Sequence, residues 1–314
     1  MEKYVYPSRE GIPHRKCALA LGFFDGVHAA HRSLILCAKK EATLRGLPFG
    51  IFTFNTESGV KADAKRIYGD REKLELFENL GADFVICADF ESVKGLSPED
   101  FVKKCLFRDI GCAFCVAGFN FRFGYRAAGD ANALVRLMRE CGGDAMIQSE
   151  FKIDEKTVSA TEIRALIESG DVARARLLLG SPYFIEDTVT HGKNLGTKLG
   201  YPTVNMELGP QRVRPARGVY RSAVMIDGNL YAALTNIGVC PTFDERDEHA
   251  ETYILNFKGN LYERRLRVYL LGFLREEKQF STADELLSQI EKDKKQALKE
   301  NGEEKWQELG QSLQ

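Results

Sequence analysis

The sequence predicts two domains: an α/β unit on a parallel sheet, then an antiparallel β-barrel with a terminal helix. Two patterns carry this expectation. Over the first half, short β-rich runs alternate with helical ones, the order that builds a parallel sheet covered by helices. After about Gly180 strands follow one another across tight-turn residues, as in a series of hairpins. The length agrees, since 314 residues exceed what one domain usually holds.

In chain order, the strands of the first half read as Cys17–Phe23, Phe49–Phe54, Phe84–Cys87, Ala113–Ala117 and Ala145–Gln148. Between them, His31–Arg45 reads as a helix closed by Gly46, and Arg71–Leu80 as one opened by Asp70 and closed by Gly81. Pro98–Phe107 follows Ser97, an N-cap serine with proline at the first helical position. Ala131–Glu140 is a further helix running out into Cys141-Gly142-Gly143. Ser181-Pro182 marks the boundary, because a proline usually ends the preceding helix. The expected domains are therefore 1–182 and 183–314. Beyond the boundary, Val213–Ile226, Leu230–Ile237, Glu251–Phe257 and Arg267–Leu274 read as strands, with Asp227-Gly228-Asn229 and Lys258-Gly259-Asn260 as turns. Ala283–Lys299 reads as a charged helix with a mostly solvated face.

Charge narrows the function. The chain has 44 Lys+Arg against 45 Asp+Glu, a net charge of -1, which argues against a protein built to neutralise nucleic-acid phosphates. The apolar stretch Cys17–Phe24 is far short of the roughly 20 residues a membrane span needs. No signal peptide is recognisable, so a soluble cytoplasmic protein is expected. Of the 8 cysteines, only Cys112 and Cys115 form a CxxC pair, with no second pair to complete a zinc site. In an extended strand those two would point to opposite faces, so a reduced, packed role is expected.

One chemical constellation lies where the first strand gives way to the first helix. Gly22-Phe23-Phe24-Asp25-Gly26-Val27-His28-Ala29-Ala30-His31 puts His28 and His31 on one helical face. A helix N-terminus gathers unpaired N–H groups and the positive dipole end, which favours a triphosphate. Two imidazoles there could donate hydrogen bonds to oxygens that gain charge during nucleotidyl transfer. On its own, such a pair is as readily an ordinary polar helix start.

The run G-x-F-D-G-x-H-x-x-H resembles the H-x-G-H signature of nucleotidyltransferases, and in its longer form the N-terminal module of the prokaryotic bifunctional riboflavin kinase/FMN adenylyltransferase (FAD synthetase) family. Ala117-Gly118-Phe119-Asn120-Phe121-Arg122-Phe123-Gly124 is similar to that family's G-x-[DN]-F-R-F-G loop, and Ser159-Ala160-Thr161-Glu162-Ile163-Arg164 to its S-S-T-x-I-R segment. The resemblance implies a Rossmann-like nucleotidyltransferase domain. In it Gly22, Phe24, Asp25, His28 and His31 would receive ATP phosphates, Thr161 and Arg164 would hold phosphates, and Asn120 and Arg122 would face the flavin. For Arg122 a fold-stabilising ion pair is the competing reading. The chain departs from the pattern at Ala30, where the family has glycine, and at Ala160, where it has serine. Thr53-Phe54-Asn55-Thr56-Glu57-Ser58 stands where the family has T-F-x-P-H-P.

The second half carries a denser pattern. His191–Asn205 holds Gly192, Lys193, Gly196 and Gly200 ahead of Pro202-Thr203-Val204-Asn205. Backbone N–H groups of a glycine loop can close over phosphates, although this is not a P-loop. Thr203 and Asn205 are neutral oxygen ligands of the kind Mg²⁺ accepts, or else a turn bonded to its own backbone. G-x-x-L-G-x-x-L-G-[FY]-P-T-x-N is similar to the flavokinase signature. It continues in order through Pro215–Tyr220, Asn236–Thr242, Glu251–Leu255, Leu261-Tyr262 and Leu274–Phe280. Thr197 and Val204 replace the family's arginine and alanine. The resemblance implies a flavokinase-like barrel in which ATP phosphorylates riboflavin. Gly192, Lys193, Gly196 and Thr203 would bind ATP, Thr203 and Asn205 would hold Mg²⁺, Glu251 would act as general base, and Arg275 would help close the flavin site.

Three readings follow. The favoured one is a bifunctional enzyme that uses ATP to turn riboflavin into FMN and FMN into FAD, with riboflavin, FMN and ATP as its partners. The second is a riboflavin kinase with a degenerate adenylyltransferase domain. The third is a non-catalytic flavin- or nucleotide-binding regulator. Oligomeric state is not readable from the sequence.

Overall fold

The computed structural model describes residues 1–8, 16–55, 65–190, 201–239, 248–300 and 309. They form two compact units, Met1–Ala160 and Thr161–Gln314.

In the first unit, β1 (Glu2–Tyr6), β2 (Cys17–Leu21), β3 (Phe49–Phe54), β4 (Phe84–Ala88), β5 (Cys112–Gly118) and β6 (Asp144–Gln148) make one sheet. Its order is β1-β4-β3-β2-β5-β6, and every pair is parallel. β2 and β4 are buried along their whole length, as strands covered on both faces must be. The helices are α1 (Ala29–Leu44), α2 (Asp70–Asn79), α3 (Phe90–Val93), α4 (Pro98–Asp100) and α5 (Ala131–Glu140). α4 opens on Ser97, whose hydroxyl accepts from the Asp100 amide at 3.0 Å, and passes directly into a π-helical run, Phe101–Ile110. That run and α5 share one apolar core with alternate residues of β2 and β5, while α1 packs against β2, β3 and β5 outside that core.

The strand order reverses at β2. From β2 the chain steps outward through β3 to β4, then returns to β5 on the other side of β2. At such a switch point the connections diverge and leave a crevice at the carboxyl ends of the strands. Gly22–His31 and Gly118–Gly124 emerge there.

The expected opposition of Cys112 and Cys115 does not hold. Cys17 pairs with Cys112 but Ala18 with Phe114, so a bulge inserts one residue and resets the alternation. Both thiols then enter the core that also holds Cys17 and Cys105, and the hydrogen bond to Cys115, together with burial, drives the Cys112 pKa upward. β1, an edge strand with mostly exposed residues, is an element the sequence reading did not find.

After the small hairpin of β7 (Lys152–Ile153) and β8 (Lys156–Thr157) come α6 (Ala160–Glu168) and α7 (Val172–Leu179). The second sheet holds β9 (Tyr183–Thr188), β10 (Thr203–Glu207), β11 (Gly218–Ile226), β12 (Asn229–Val239), β13 (Glu248–Ile254) and β14 (Arg265–Arg275). Its order is β10-β13-β12-β11-β14-β9, all antiparallel, and an isolated bridge between Thr190 and Asn205 curls one edge toward the other. The β11–β12 turn has Asp227 and Gly228 at φ 49° and 79°, the two positive values a type I′ hairpin demands. α7 packs on β9 and β14, and Gly170 lies against Ala216, Phe273 and Tyr220, so this helical pair belongs to the barrel unit. Inside, Ser222, Thr235 and Thr252 link their hydroxyls at 2.7 and 2.9 Å across three strands. α8 (Ala283–Glu300) seats Ala297 against Leu234 and Leu255 and leaves most of its length exposed.

Candidate functional sites

β2 ends at Leu21 because the backbone turns sharply after it. Phe24 sits in the left-handed region at φ 55°, Gly26 at 75° and Val27 at 41°. For Phe24 and Val27 that conformation costs on the order of 1 kcal/mol each, so neighbouring contacts must hold it. Asp25 is nearly buried and its Oδ1 accepts from the Ile67 amide at 3.1 Å. The Phe23 carbonyl accepts from Thr53 Oγ1 at 3.0 Å. The ring of Phe24 meets His31 edge-on at 5.2 Å, and a Cβ on Gly22 would strike that same ring at 2.8 Å.

His28 caps α1, its Nδ1 accepting from the His31 amide at 3.4 Å, and the two imidazoles stack with centroids 3.6 Å apart. Burial lowers the His28 pKa to about 4. Burial, with help from His28 and Lys73, drives that of His31 well below its ordinary value. Both rings are therefore neutral near pH 7, and His28, with Nδ1 occupied as an acceptor, carries its proton on Nε2. His31 Nδ1 is buried with no hydrogen-bond partner among the described residues. An orphan of this kind in a strained turn suits a site completed by a ligand.

Asn120 and Arg122 lie on the loop after β5 and are exposed. The Asn120 amide oxygen folds back over Gly118, 3.4 Å from where a Cβ would stand. No ion-pair partner for Arg122 occurs among the described residues. Thr161 and Arg164 meet each other on α6, Nη2 donating to Oγ1 at 3.1 Å, and lie in the barrel unit. Gly192, Lys193 and Gly196 lie outside the described residues.

The barrel site is set by register. Asn205 and Asn236 both stand opposite Glu251, on the strands flanking β13, and opposed residues of an antiparallel pair project to one face. Thr203, two residues before Asn205, shares that face. Its hydroxyl donates to Glu251 Oε1 at 2.7 Å. Asn236 Nδ2 donates to Glu277 Oε1 at 3.1 Å, and a Cβ on Gly238 would fall 2.1 Å from that oxygen. Thr203, Asn205 and Glu251 thus come together with Asn236 and Glu277 as neighbours. Arg275 is gripped by Asp293 of α8, Nε reaching the two carboxylate oxygens at 3.1 and 3.0 Å and Nη2 one of them at 2.8 Å. Gln289 donates to the same carboxylate at 2.8 Å.

Sequence reasoning gave no site role to Asn236 and Glu277, although both lie inside the matched segments, and it missed Asp293, which no motif marks. It also missed Lys73. That residue shares the buried stripe of α2 with Leu76 and Phe77, and a lysine at that helical phase was the available signal.

Known proteins resemble both halves. Residues 12–162 match the family model for FAD synthetase, and residues 179–300 that for riboflavin kinase. The bifunctional riboflavin kinase/FMN adenylyltransferase of Bacillus subtilis is 32% identical over 293 residues, covering 90% of this chain and 92% of that protein. Its namesake in Escherichia coli is 33% identical over 288 residues, covering 90% and 91%. A Streptococcus pneumoniae crystal structure described as a macrolide-efflux protein superposes with TM-score 0.84 at 28% identity, covering 94% of this chain and 98% of that one. In the present chain no helix among the described residues is long and apolar enough to cross a membrane.

Proposed function

The chain belongs to the bifunctional riboflavin kinase/FMN adenylyltransferase family, transferases of flavin biosynthesis, and we propose how its two sites divide that work. Residues 183–314 phosphorylate riboflavin to FMN, releasing ADP. Residues 1–182 adenylylate FMN to FAD, releasing pyrophosphate. The observation that carries the kinase reading is the shared face of Thr203, Asn205 and Glu251, with the threonine hydroxyl already bonded to the carboxylate.

In the barrel, Glu251 takes the proton of the ribityl 5′-hydroxyl as that oxygen attacks the γ-phosphorus, and ADP leaves. Two neutral oxygens beside a carboxylate make a donor set that fits a hard cation, so Thr203 and Asn205 would hold Mg²⁺, which neutralises phosphate charge when bound. Gly192, Lys193 and Gly196 offer N–H groups and a cation to the ATP phosphates. Arg275, fixed by Asp293, borders the flavin.

In the α/β unit, the FMN phosphate attacks the α-phosphorus of ATP. His28, donating through Nε2, and His31 stabilise the oxygens that gain charge. Gly22, Phe24 and Asp25 shape the turn that receives the phosphates, and Asn120 with Arg122 face the flavin. Riboflavin, FMN and ATP are the substrates, and the cytoplasm is the compartment in which the free thiols of Cys17, Cys105 and Cys112 persist.

Incubating the protein with riboflavin, ATP and Mg²⁺ and separating the flavins by chromatography tests this. FAD is the expected product. FMN alone would leave a kinase with an idle first domain, the reading that Ala30, Ala160 and the absent T-F-x-P-H-P favour, and unchanged riboflavin would leave a binding protein.

A further inference from the structure

Among the described residues, Lys73 is a cation that the two proposed mechanisms do not use, yet it is 3% exposed. Burying an ammonium is costly unless it is paired and hydrogen-bonded, so its surroundings are informative. Its Nζ lies 3.2 Å from the Phe54 carbonyl, 3.5 Å from Thr53 Oγ1 and 3.5 Å from Asp70 Oδ1. Thr53 in turn donates to the Phe23 carbonyl. Two cations approach the Phe23 ring, the Arg66 guanidinium 4.5 Å from its centroid and the Lys73 ammonium 5.5 Å.

The same short segment also grips the turn further along. The Ile67 amide donates to Asp25, and the Ile67 side chain fills the space beside Gly26, where a Cβ would meet it at 2.7 Å. Residues 66–73 therefore touch the strained turn at Phe23, Asp25 and Gly26. The left-handed backbone of Phe24 and Val27 is held from this side, and the end of β3 is pinned by Lys73 at Thr53 and Phe54.

We propose that Lys73 is a positioning residue for adenylyl transfer: through Thr53 and the end of β3 it holds the Phe23–Val27 turn in the shape that receives ATP phosphates. The inference rests on the reading of Gly22–His31 as the adenylylation site. Lys73 acts on the turn rather than on the reacting atoms. Its loss lets the turn relax, and a displacement of about 1 Å there costs on the order of 10²-fold in rate.

The test compares the full-length parent with K73M, which keeps the bulk of the side chain, and K73R, which keeps its charge. In K73M the kcat for FAD formation from FMN should fall about 10²-fold while KM for FMN stays within about threefold, the split expected when positioning and not binding is lost. K73R should recover at least tenfold of that loss, and riboflavin phosphorylation should be unchanged in both variants. Hydrogen exchange of the unliganded proteins supplies a readout independent of turnover: amides of residues 22–31 should exchange faster in K73M, with those of β4 unchanged. FAD formation within twofold of the parent, or a loss that K73R does not relieve, would overturn the proposal. So would parent-like exchange across residues 22–31. A parent protein that makes no FAD would sink the adenylyltransferase reading instead, and exchange would still decide whether Lys73 holds the turn.

Discussion

The two sites are built by opposite means. In the α/β unit the polar groups are buried: imidazoles stacked and kept neutral by desolvation, a carboxylate spent on a backbone amide, and two residues forced into left-handed backbone. In the barrel the polar groups stand on an exposed sheet face, placed by strand register and bonded to one another across neighbouring strands. The first site is preorganised by strain and low dielectric, the second by pairing alone. Changes at the first should therefore disturb stability and chemistry together, whereas those at the barrel face should act on chemistry only.

The sharpest division comes from Glu251→Gln. Removing the base should lower riboflavin phosphorylation about 10³-fold while FAD formation from supplied FMN and the melting temperature stay near parental values. His31→Ala should do the reverse, cutting FAD formation about 10²-fold and sparing FMN formation. Joint loss of both activities in either variant would break the comparison.

Asp293→Ala probes the buried part of the barrel side. The Arg275–Asp293 pair is mostly shielded, its side chains 16% and 5% exposed, and removing one partner strands the other charge. A loss of about 4 kcal/mol in denaturant unfolding is expected, with a higher KM for riboflavin. The smallest effect follows acidity. Because burial lowers the folded pKa of His28 from 6.5 to about 4, the unfolded chain binds the extra proton in between. Stability is then complete above about pH 6.5 and falls by about 3 kcal/mol on the way to pH 4. His31 contributes with the same sign. A flat stability profile over that window would show that the imidazoles are not desolvated.

Much of this was legible before any coordinates. Phe49–Phe54 and Ala131–Glu140 fall where periodicity and flanking glycines put them, and the Asp227-Gly228 hairpin where its dipeptide demands. What stayed hidden depends on partners distant in sequence. β1 and β10 are short edge strands, and half-exposed edges give weak alternation. The shared face of Cys112 and Cys115 required the bulge opposite Cys17, which no local pattern announces. At the sites, His28, His31 and Glu251 were visible as residue types at a spacing. Lys73, Asn236 and Asp293 were not, because their meaning comes from Phe23, Glu277 and Arg275, which only tertiary structure brings to them.

The allocation of α6 and α7 to the barrel has a practical corollary. The FAD synthetase match ends at residue 162 and the riboflavin kinase match begins at 179, so the helical pair falls almost wholly in the gap. Severing the chain at Ser181-Pro182 to harvest an autonomous kinase would strip away Val172, Leu178 and Leu179 and bare the greasy surface they cover. A kinase fragment therefore has to begin ahead of Thr161, so that both helices travel with the barrel.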